Sequence, residues 1–432
     1  MINAIVNRLE ADASGFLLVK VLRLLLEMNK GDAKRFTLVC ERIANKAEEE
    51  GDWHRARTYW DLASKWAKRG KLGDSESSAR QRMAESFVLQ AAQISKIPNA
   101  VMLVPASHIQ SAITILRTMA GQKQRVQELH VLLLEYQSKG RDQMITYTSS
   151  ADITEFVEAA RSAVAGKPLL EALLILGFRP LLPSVTRLKQ QAISDSDKYL
   201  LARLLPKHYV SATGKTISVP GSTHSSDPAE REAALRAEMF ERSRFHFQFI
   251  VGSDIWPMTM TIGREHPLRI DDFVELLENN VLIPPDRVGL WAEGLRAGFF
   301  GDFVKAVHVL IPQLEHALRV LLAKLGLIVS NLDKDGIQQE FNLNNLLYGL
   351  HCAKLTEVLG EDFVFTMQAL LVEKAGSDVR NRMVHGLMDG AEFYGANAIC
   401  SWWLILRVAL LAPRAAAALE ADQPSGSASG PE

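Results

Sequence analysis

The spacing of apolar residues along the first 205 positions predicts a series of amphipathic helices. Leucine and valine recur every three to four residues after Phe16, and several later segments repeat that helical period. Gly51 and Asp52 form a helix stop followed by a helix cap, and a new helix is predicted from Trp53. We therefore predict an N-terminal helical array over residues 1–205.

Large and small side chains alternate in the helix predicted after Trp53. Its alanines lie between Tyr59, Trp60 and Trp66, an arrangement that loosely resembles tetratricopeptide-type helix hairpins, in which small residues let helices approach closely. The aromatic residues could also stack on nucleic-acid bases. Because positions 53 and 60, and 59 and 66, are seven residues apart, we favour packing between consecutive helices.

The pattern changes at Pro206, where turn-forming residues replace the helical period. We predict a linker or insertion over residues 206–228, with a short hairpin around Thr213 and Gly214. Asp227 and Pro228 then predict the N-cap and first residue of a new helix. A middle helical region follows over residues 229–290, and the fold class predicted for the chain is all-α.

A strongly apolar helix predicted over residues 303–325 carries one polar stripe. His308, Glu315 and Arg319 fall on a common face at spacings of seven and four residues. Pro312 removes one backbone hydrogen bond from this helix and is expected to kink it.

A short polar segment between two apolar stretches near the C-terminus is the candidate for function. Arg380, Asn381 and His385 fall within six residues there, and buried polar groups need partners. We expect Gly376 to end the preceding helix. Either of the next two residues, Ser or Asp, is expected to cap the following helix.

Composition and charge exclude several classes of protein. The chain has 432 residues, a formal net charge of -1 and three cysteines far apart in sequence. It therefore shows no global basic field for nucleic acid, and neither a disulfide framework nor a zinc motif. No uninterrupted apolar run reaches the length of a membrane span, so we expect a cytoplasmic protein with no membrane partner.

The Arg-Asn-x-x-x-His-Gly segment, in an all-α context, resembles the HEPN superfamily (higher eukaryotes and prokaryotes nucleotide-binding). In that superfamily, an Arg followed at a short interval by a His marks metal-independent endoribonucleases. The segment is also similar to an uncharacterised family whose terminal domain bears this motif. The resemblance implies a helical bundle over residues 291–411, an acidic residue beside the Arg and His, for which Glu315 is the candidate, and a homodimer in which two motifs share one cleft.

The residue types suit RNA cleavage by attack of the 2′-hydroxyl on the adjacent phosphate. His385 can move a proton, because an imidazole titrates near neutral pH. Arg380 offers a permanently charged fork for the pentavalent phosphate, and Asn381 can orient phosphate or ribose. Glu315, Arg319 and His308 are predicted to support them. We predict no cofactor and no metal, since no carboxylate cluster or His-x-x-x-His set lies nearby.

Other interpretations stay open at this point. Arg380, Asn381 and His385 could form a purely structural network with Glu315, and Glu315 could simply pair with Arg319 on its own helix. The bundle would then be a non-catalytic nucleotide-binding or dimerisation module, with the array recruiting a protein partner. The apolar residues around Trp402, Trp403 and Leu406 suggest a homodimer through the C-terminal domain. Residues 412–432 are predicted to be a disordered tail.

Overall fold

A computed structural model of the chain shows two compact units. It describes residues 16–145, 150–198, 209–211, 215–219, 221–223, 225–278 and 280–421. The first unit takes in the described residues of Met1–Thr148 and Val210–Thr216, and the second those of Ser149–Tyr209 and Ile217–Glu432. Both units are predominantly helical, which confirms the all-α prediction.

The first unit is an array in which each helix from α2 onward packs on the next. Asp52 accepts a hydrogen bond from the backbone N–H of Arg55, so the predicted cap is confirmed. Tyr59, Trp60 and Trp66 are buried, which confirms packing as their role. The described helices are α1 Phe16–Glu27, α2 Ala33–Glu49, α3 Trp53–Arg69, α4 Gly73–Ile94, α5 Leu103–Leu116 and α6 Lys123–Asp142.

The second unit is built from helices of very different lengths that share one hydrophobic core. Its described helices are α7 Thr154–Val164, α8 Leu169–Phe178, α9 Val185–Lys198, α10 Pro228–Ile250, α11 Trp256–Glu265, α12 Ile270–Leu277, α13 Val288–Phe299, α14 Phe303–Lys324, α15 Leu343–Leu346, α16 Gly349–Leu359, α17 Glu361–Met367, α18 Val379–Val384 and α19 Ala396–Ala421. The π-helices Val251–Ile255 and Gln368–Val372 follow α10 and α17 directly, and Pro285–Arg287 and Glu392–Tyr394 are 3₁₀ turns. The predicted cap of α10 is present, since Asp227 accepts a bond from the backbone N–H of Ala229.

Two short hairpins interrupt the helices. Strands β1 Tyr209–Val210 and β2 Thr216–Ser218 flank the predicted turn, whose residues 212–214 lie outside the described part. Strands β3 Ser330–Leu332 and β4 Gln338–Glu340 pair antiparallel, with Asn331 opposite Gln339. The second hairpin was not predicted, although its turn contains an Asp-Gly dipeptide typical of hairpins.

Helix α19 is the centre of the second unit. The Trp402 and Trp403 side chains are fully buried, and their indole N–H groups donate to the carbonyls of Leu295 (3.1 Å) and Leu176 (2.8 Å). Leu406 is also buried. Trp402, Trp403 and Leu406 are therefore unavailable for the dimer interface that their apolar character suggests, because helices of the same chain cover them.

The division between units differs from the predicted domain boundaries. Helices α7 to α9 were predicted to continue the N-terminal array, yet Leu173, Leu176 and Val185 lie in the core of the second unit. Residues of the predicted middle region and bundle share that core as well. Local periodicity identifies an apolar helix but not its partner. Helix α19 also continues past Leu411 to Ala421, in keeping with the helix propensity of its alanines, and residues 422–432 lie outside the described part.

Helix α14 is long and apolar enough to cross a membrane by length and composition, and half of its most apolar window is buried inside the fold. Its bounds match the predicted helix, and it remains one continuous helix through Pro312.

The contact between α13 and α19 gives a test of this packing. A Cβ atom at Gly298 would collide with the Trp402 indole, whereas one at Gly289 of the same helix would meet nothing within 4 Å. We expect Gly298→Ala to lower the free energy of unfolding by about 1–3 kcal/mol through overpacking. The control Gly289→Ala should be neutral or stabilising, because alanine favours helix. Urea unfolding followed by circular dichroism measures both, and equal effects would contradict the packing.

Candidate functional site

The polar segment predicted to carry function lies in a tight loop and the short helix α18. The loop runs close under the π-helix Gln368–Val372, since the N–H of Ser377 donates to the carbonyl of Ala369 at 2.8 Å. A Cβ atom at Gly376 would collide with that same carbonyl oxygen. A side chain is therefore excluded at position 376, and the loop positions α18 against the core.

The start of α18 differs from the prediction. Neither Ser377 nor Asp378 caps the helix with its side chain. Ser377 Oγ donates to Asn397 Oδ1 (2.9 Å), and Asp378 Oδ1 accepts from Asn381 Nδ2 (2.6 Å). Asp378 has a left-handed backbone with φ of 49°, a conformation in which Asp is enriched among non-glycine residues. Asp378 is therefore the N-cap residue by position, as predicted, but the side-chain bond to the backbone expected of a cap is absent because its carboxylate is bonded to Asn381.

Arg380 is the centre of a partly buried polar network. Its Nη1 donates to Asn381 Oδ1 at 3.0 Å, and its Nη2 lies 3.3 Å from Glu315 Oε2. The second oxygen of Glu315 accepts from Arg319 at 3.0 Å, and Arg319 also donates to the Phe341 carbonyl at 2.8 Å. The three charged side chains are only 16–20% exposed. One carboxylate thus connects α14, α18 and the segment after β4.

The two predicted histidines lie outside this network. His385 is the C-cap of α18 and is exposed, and no hydrogen bond to its ring is found among the described residues. His308 is also exposed. Its ring stacks on Phe393 with centroids 5.1 Å apart, and its Nδ1 lies 2.7 Å from the Val304 carbonyl. Of the six predicted site residues, the structure therefore brings together Arg380, Asn381, Glu315 and Arg319.

Two partly buried carboxyl groups, Asp378 and Glu373, lie near the network. Burial raises the pKa of Asp378, against the lowering effect of the Asn381 hydrogen bond and nearby cations. Burial also raises the pKa of Glu373, against the lowering effect of Arg236. At pH values just above the ordinary pKa of a carboxyl group, the folded protein therefore binds more protons than the unfolded chain. The contribution of these two carboxyl groups to the free energy of unfolding is present at low pH and is lost as pH rises through their raised pKa values.

Asp378 is the residue whose role was missed from sequence. It was considered only as a helix cap, whereas its carboxylate fixes the amide of Asn381, which in turn accepts from Arg380. The spacing of three residues between Asp378 and Asn381 is the signal that indicates such a pair on one helix. Among the residues described, no group of three His, Cys, Asp or Glu side chains is arranged to hold a metal ion.

No protein-family model, curated protein or solved structure matches this chain.

The pairing of Arg380 with Glu315 is testable by a double-mutant cycle. Removing the charges with Glu315→Gln and Arg380→Met, singly and together, should give a coupling energy of about 1.5–3 kcal/mol, because the pair is largely shielded from water. The matched control is the exposed pair of Lys305 and Glu293, each nearly half exposed, for which we expect about 0.5 kcal/mol. Chemical denaturation gives both values, and similar couplings would show that the network contributes no more than a surface ion pair.

Proposed function

We propose that the second unit is a metal-independent endoribonuclease with Arg380 and His385 at its reaction centre. The observation that carries the proposal is the contrast between these two residues on one short helix. Glu315 and Asn381 hold the Arg380 guanidinium in place, while the His385 imidazole stays exposed and free of hydrogen bonds within the described residues. Phosphodiester cleavage without a metal requires a cation for the phosphate and an accessible proton carrier, and these two residues are one of each.

Arg380 retains donors for a substrate. A guanidinium carries five N–H groups, and the two bonds above leave others able to bind a phosphate oxygen. Asn381 and Asp378 orient Arg380, and Arg319 fixes the other oxygen of Glu315. These residues act on the reaction through the position of the Arg380 guanidinium.

The proposed reaction starts from the 2′-hydroxyl of RNA. Its oxygen bonds to the adjacent phosphorus as the bond from phosphorus to the 5′-oxygen breaks, leaving a 2′,3′-cyclic phosphate and a 5′-hydroxyl. His385 accepts the proton of the 2′-hydroxyl, and a second imidazole returns a proton to the 5′-oxygen. One copy of α18 supplies a single His385, so we propose a homodimer through the second unit, with the other motif completing the cleft.

We further propose that the first unit recruits a protein partner in the manner of tetratricopeptide arrays. Consecutive packing of its helices and the buried alanines of α3, Ala56, Ala63 and Ala67, support this. A cytoplasmic location and the absence of a membrane partner remain predictions.

A non-catalytic alternative has its own supporting observation. Glu315 already neutralises Arg380, as expected of a network that serves to hold α18 in place. In that case the second unit would be a nucleotide-binding or dimerisation module without activity.

The cleavage assay separates these proposals. We expect wild-type protein to cleave RNA in EDTA, to leave 2′,3′-cyclic phosphate ends, and to spare a 2′-deoxy strand. His385→Gln should reduce the rate by roughly 10²–10⁴-fold, the usual contribution of a general acid or base. Because His385 is exposed, its free energy of unfolding should stay within about 0.5 kcal/mol of wild type.

The matched control is His130→Gln, which removes an exposed histidine of the first unit and should leave the rate unchanged. Products with 3′-hydroxyl ends, a strict requirement for Mg²⁺, or equal rates for both variants would contradict the proposed chemistry.

A further inference from the structure

A cavity of about 710 Å³ lies within the second unit, apart from the Arg380 network. Its walls come from the π-helix Val251–Ile255, helix α11, the turn between α13 and α14, and the 3₁₀ turn Glu392–Tyr394. The volume is in the range of sites that bind small organic groups, which are typically concave and lined by aromatic side chains.

Aromatic rings dominate the lining. The side chains of Phe300 and Tyr394 are 61% and 58% exposed, although burying a large ring lowers the free energy. Trp256 of the same lining is partly buried. None of the side chains that line the cavity is charged, and its polar side-chain groups include the amide of Gln248. A planar, uncharged group with hydrogen-bonding edges, such as a nucleobase, fits both properties, because bases stack on aromatic rings and pair with amides.

A buried, hydrogen-bonded carboxylate anchors one wall of the cavity. The π-helix places Gly252 in the lining, and such π segments within helices occur frequently at functional sites. Asp254 of this π-helix is buried and accepts bonds from Arg179 Nε and Ser253 Oγ, both at 2.6 Å. Asp254 therefore ties this part of the lining to Arg179.

One arginine lies against the aromatic lining of the uncharged cavity. Arg296 stacks on Phe300, with its guanidinium carbon 4.5 Å from the ring centroid. A cation next to an aromatic ring suits a stacked base with a neighbouring phosphate.

The cavity is also connected to the motif. Phe303 lines the cavity, and Glu315 lies twelve residues further along α14, a separation of about 18 Å. The 3₁₀ turn that supplies Tyr394 is tied to α18 by the ion pair of Arg382 and Glu392 at 2.7 Å. A single strand with one base in the cavity would therefore reach Arg380 a few nucleotides away.

We propose that this cavity holds one unpaired base of a single-stranded RNA whose scissile phosphate lies at Arg380; this rests on the function proposed above. The bound base sets where along the strand the protein binds, and Arg380 and His385 carry out the cleavage.

The test is binding of the full chain to labelled 2′-O-methyl oligonucleotides, which lack the attacking hydroxyl and cannot be cleaved. We compare Phe300→Ala with Phe245→Ala, which truncates a 71% exposed phenylalanine outside the cavity. Phe300→Ala should weaken binding roughly tenfold, as expected for loss of one base–aromatic stack. Tyr394→Ala should act in the same direction, and Phe245→Ala should bind like wild type.

A series of strands lacking one base at a time identifies the occupant. Removing one particular base should weaken binding to wild type by the same factor as Phe300→Ala, and should cause no further loss in that variant. Wild-type affinity for Phe300→Ala would overturn the proposal and leave the cavity to another occupant, such as an apolar peptide. Equal losses in wild type and variant, or competition by free adenosine monophosphate with no sensitive base in the strand, would also overturn it.

This result is independent of catalysis. Binding that depends on Phe300, in a protein that cleaves no RNA, would support the cavity and contradict the proposed nuclease. RNA cleavage by a protein whose affinity for the strand does not depend on Phe300 would support the proposed nuclease and contradict the proposed role of the cavity.

Discussion

The carboxylate of Glu315 is the interaction on which the candidate site depends. Each of its oxygens faces a different arginine, Arg319 on its own helix and Arg380 on α18. A carboxylate shielded from water is unfavourable alone and becomes tolerable only when its charge is matched and its lone pairs are bonded. The pairing holds α18, a helix too short to be stable by itself, against the long helix of the core. It also fixes the orientation of the Arg380 guanidinium.

The same constraint explains why Arg380 and His385 have different surroundings. Arg380 is in the first turn of the helix and is held by Asn381 and Glu315, whereas His385 ends the helix and leaves its ring to solvent. Asp378 extends the network on the other side through Asn381.

Much of the fold follows from local patterns. The helix over residues 303–325, the Asp52 and Asp227 caps and the buried aromatic residues of the first unit were predictable, because period and capping are properties of adjacent residues. The pairing of Glu315 with Arg380 was expected only through resemblance, since the two residues are far apart in sequence.

Features that depend on distant partners could not be predicted. Trp403 donates to Leu176, more than two hundred residues away, and nothing near either residue indicates this contact. Helix α8 is predicted to belong to the N-terminal array but lies in the second unit, because its packing partners are distant in sequence. The two π-helices and the left-handed Asp378 are also products of tertiary packing, which overrides local preference.

The central claim is that the α18 motif faces RNA, and the imidazole signal of His385 tests it most directly. The chain has eleven histidines, and the His385 ring resonance can be assigned by its loss in His385→Gln. An uncleavable 2′-O-methyl oligonucleotide should shift that resonance and leave the one from His130 in place, and Arg380→Met should abolish the shift. An oligonucleotide that binds the protein without moving the His385 signal would contradict the account.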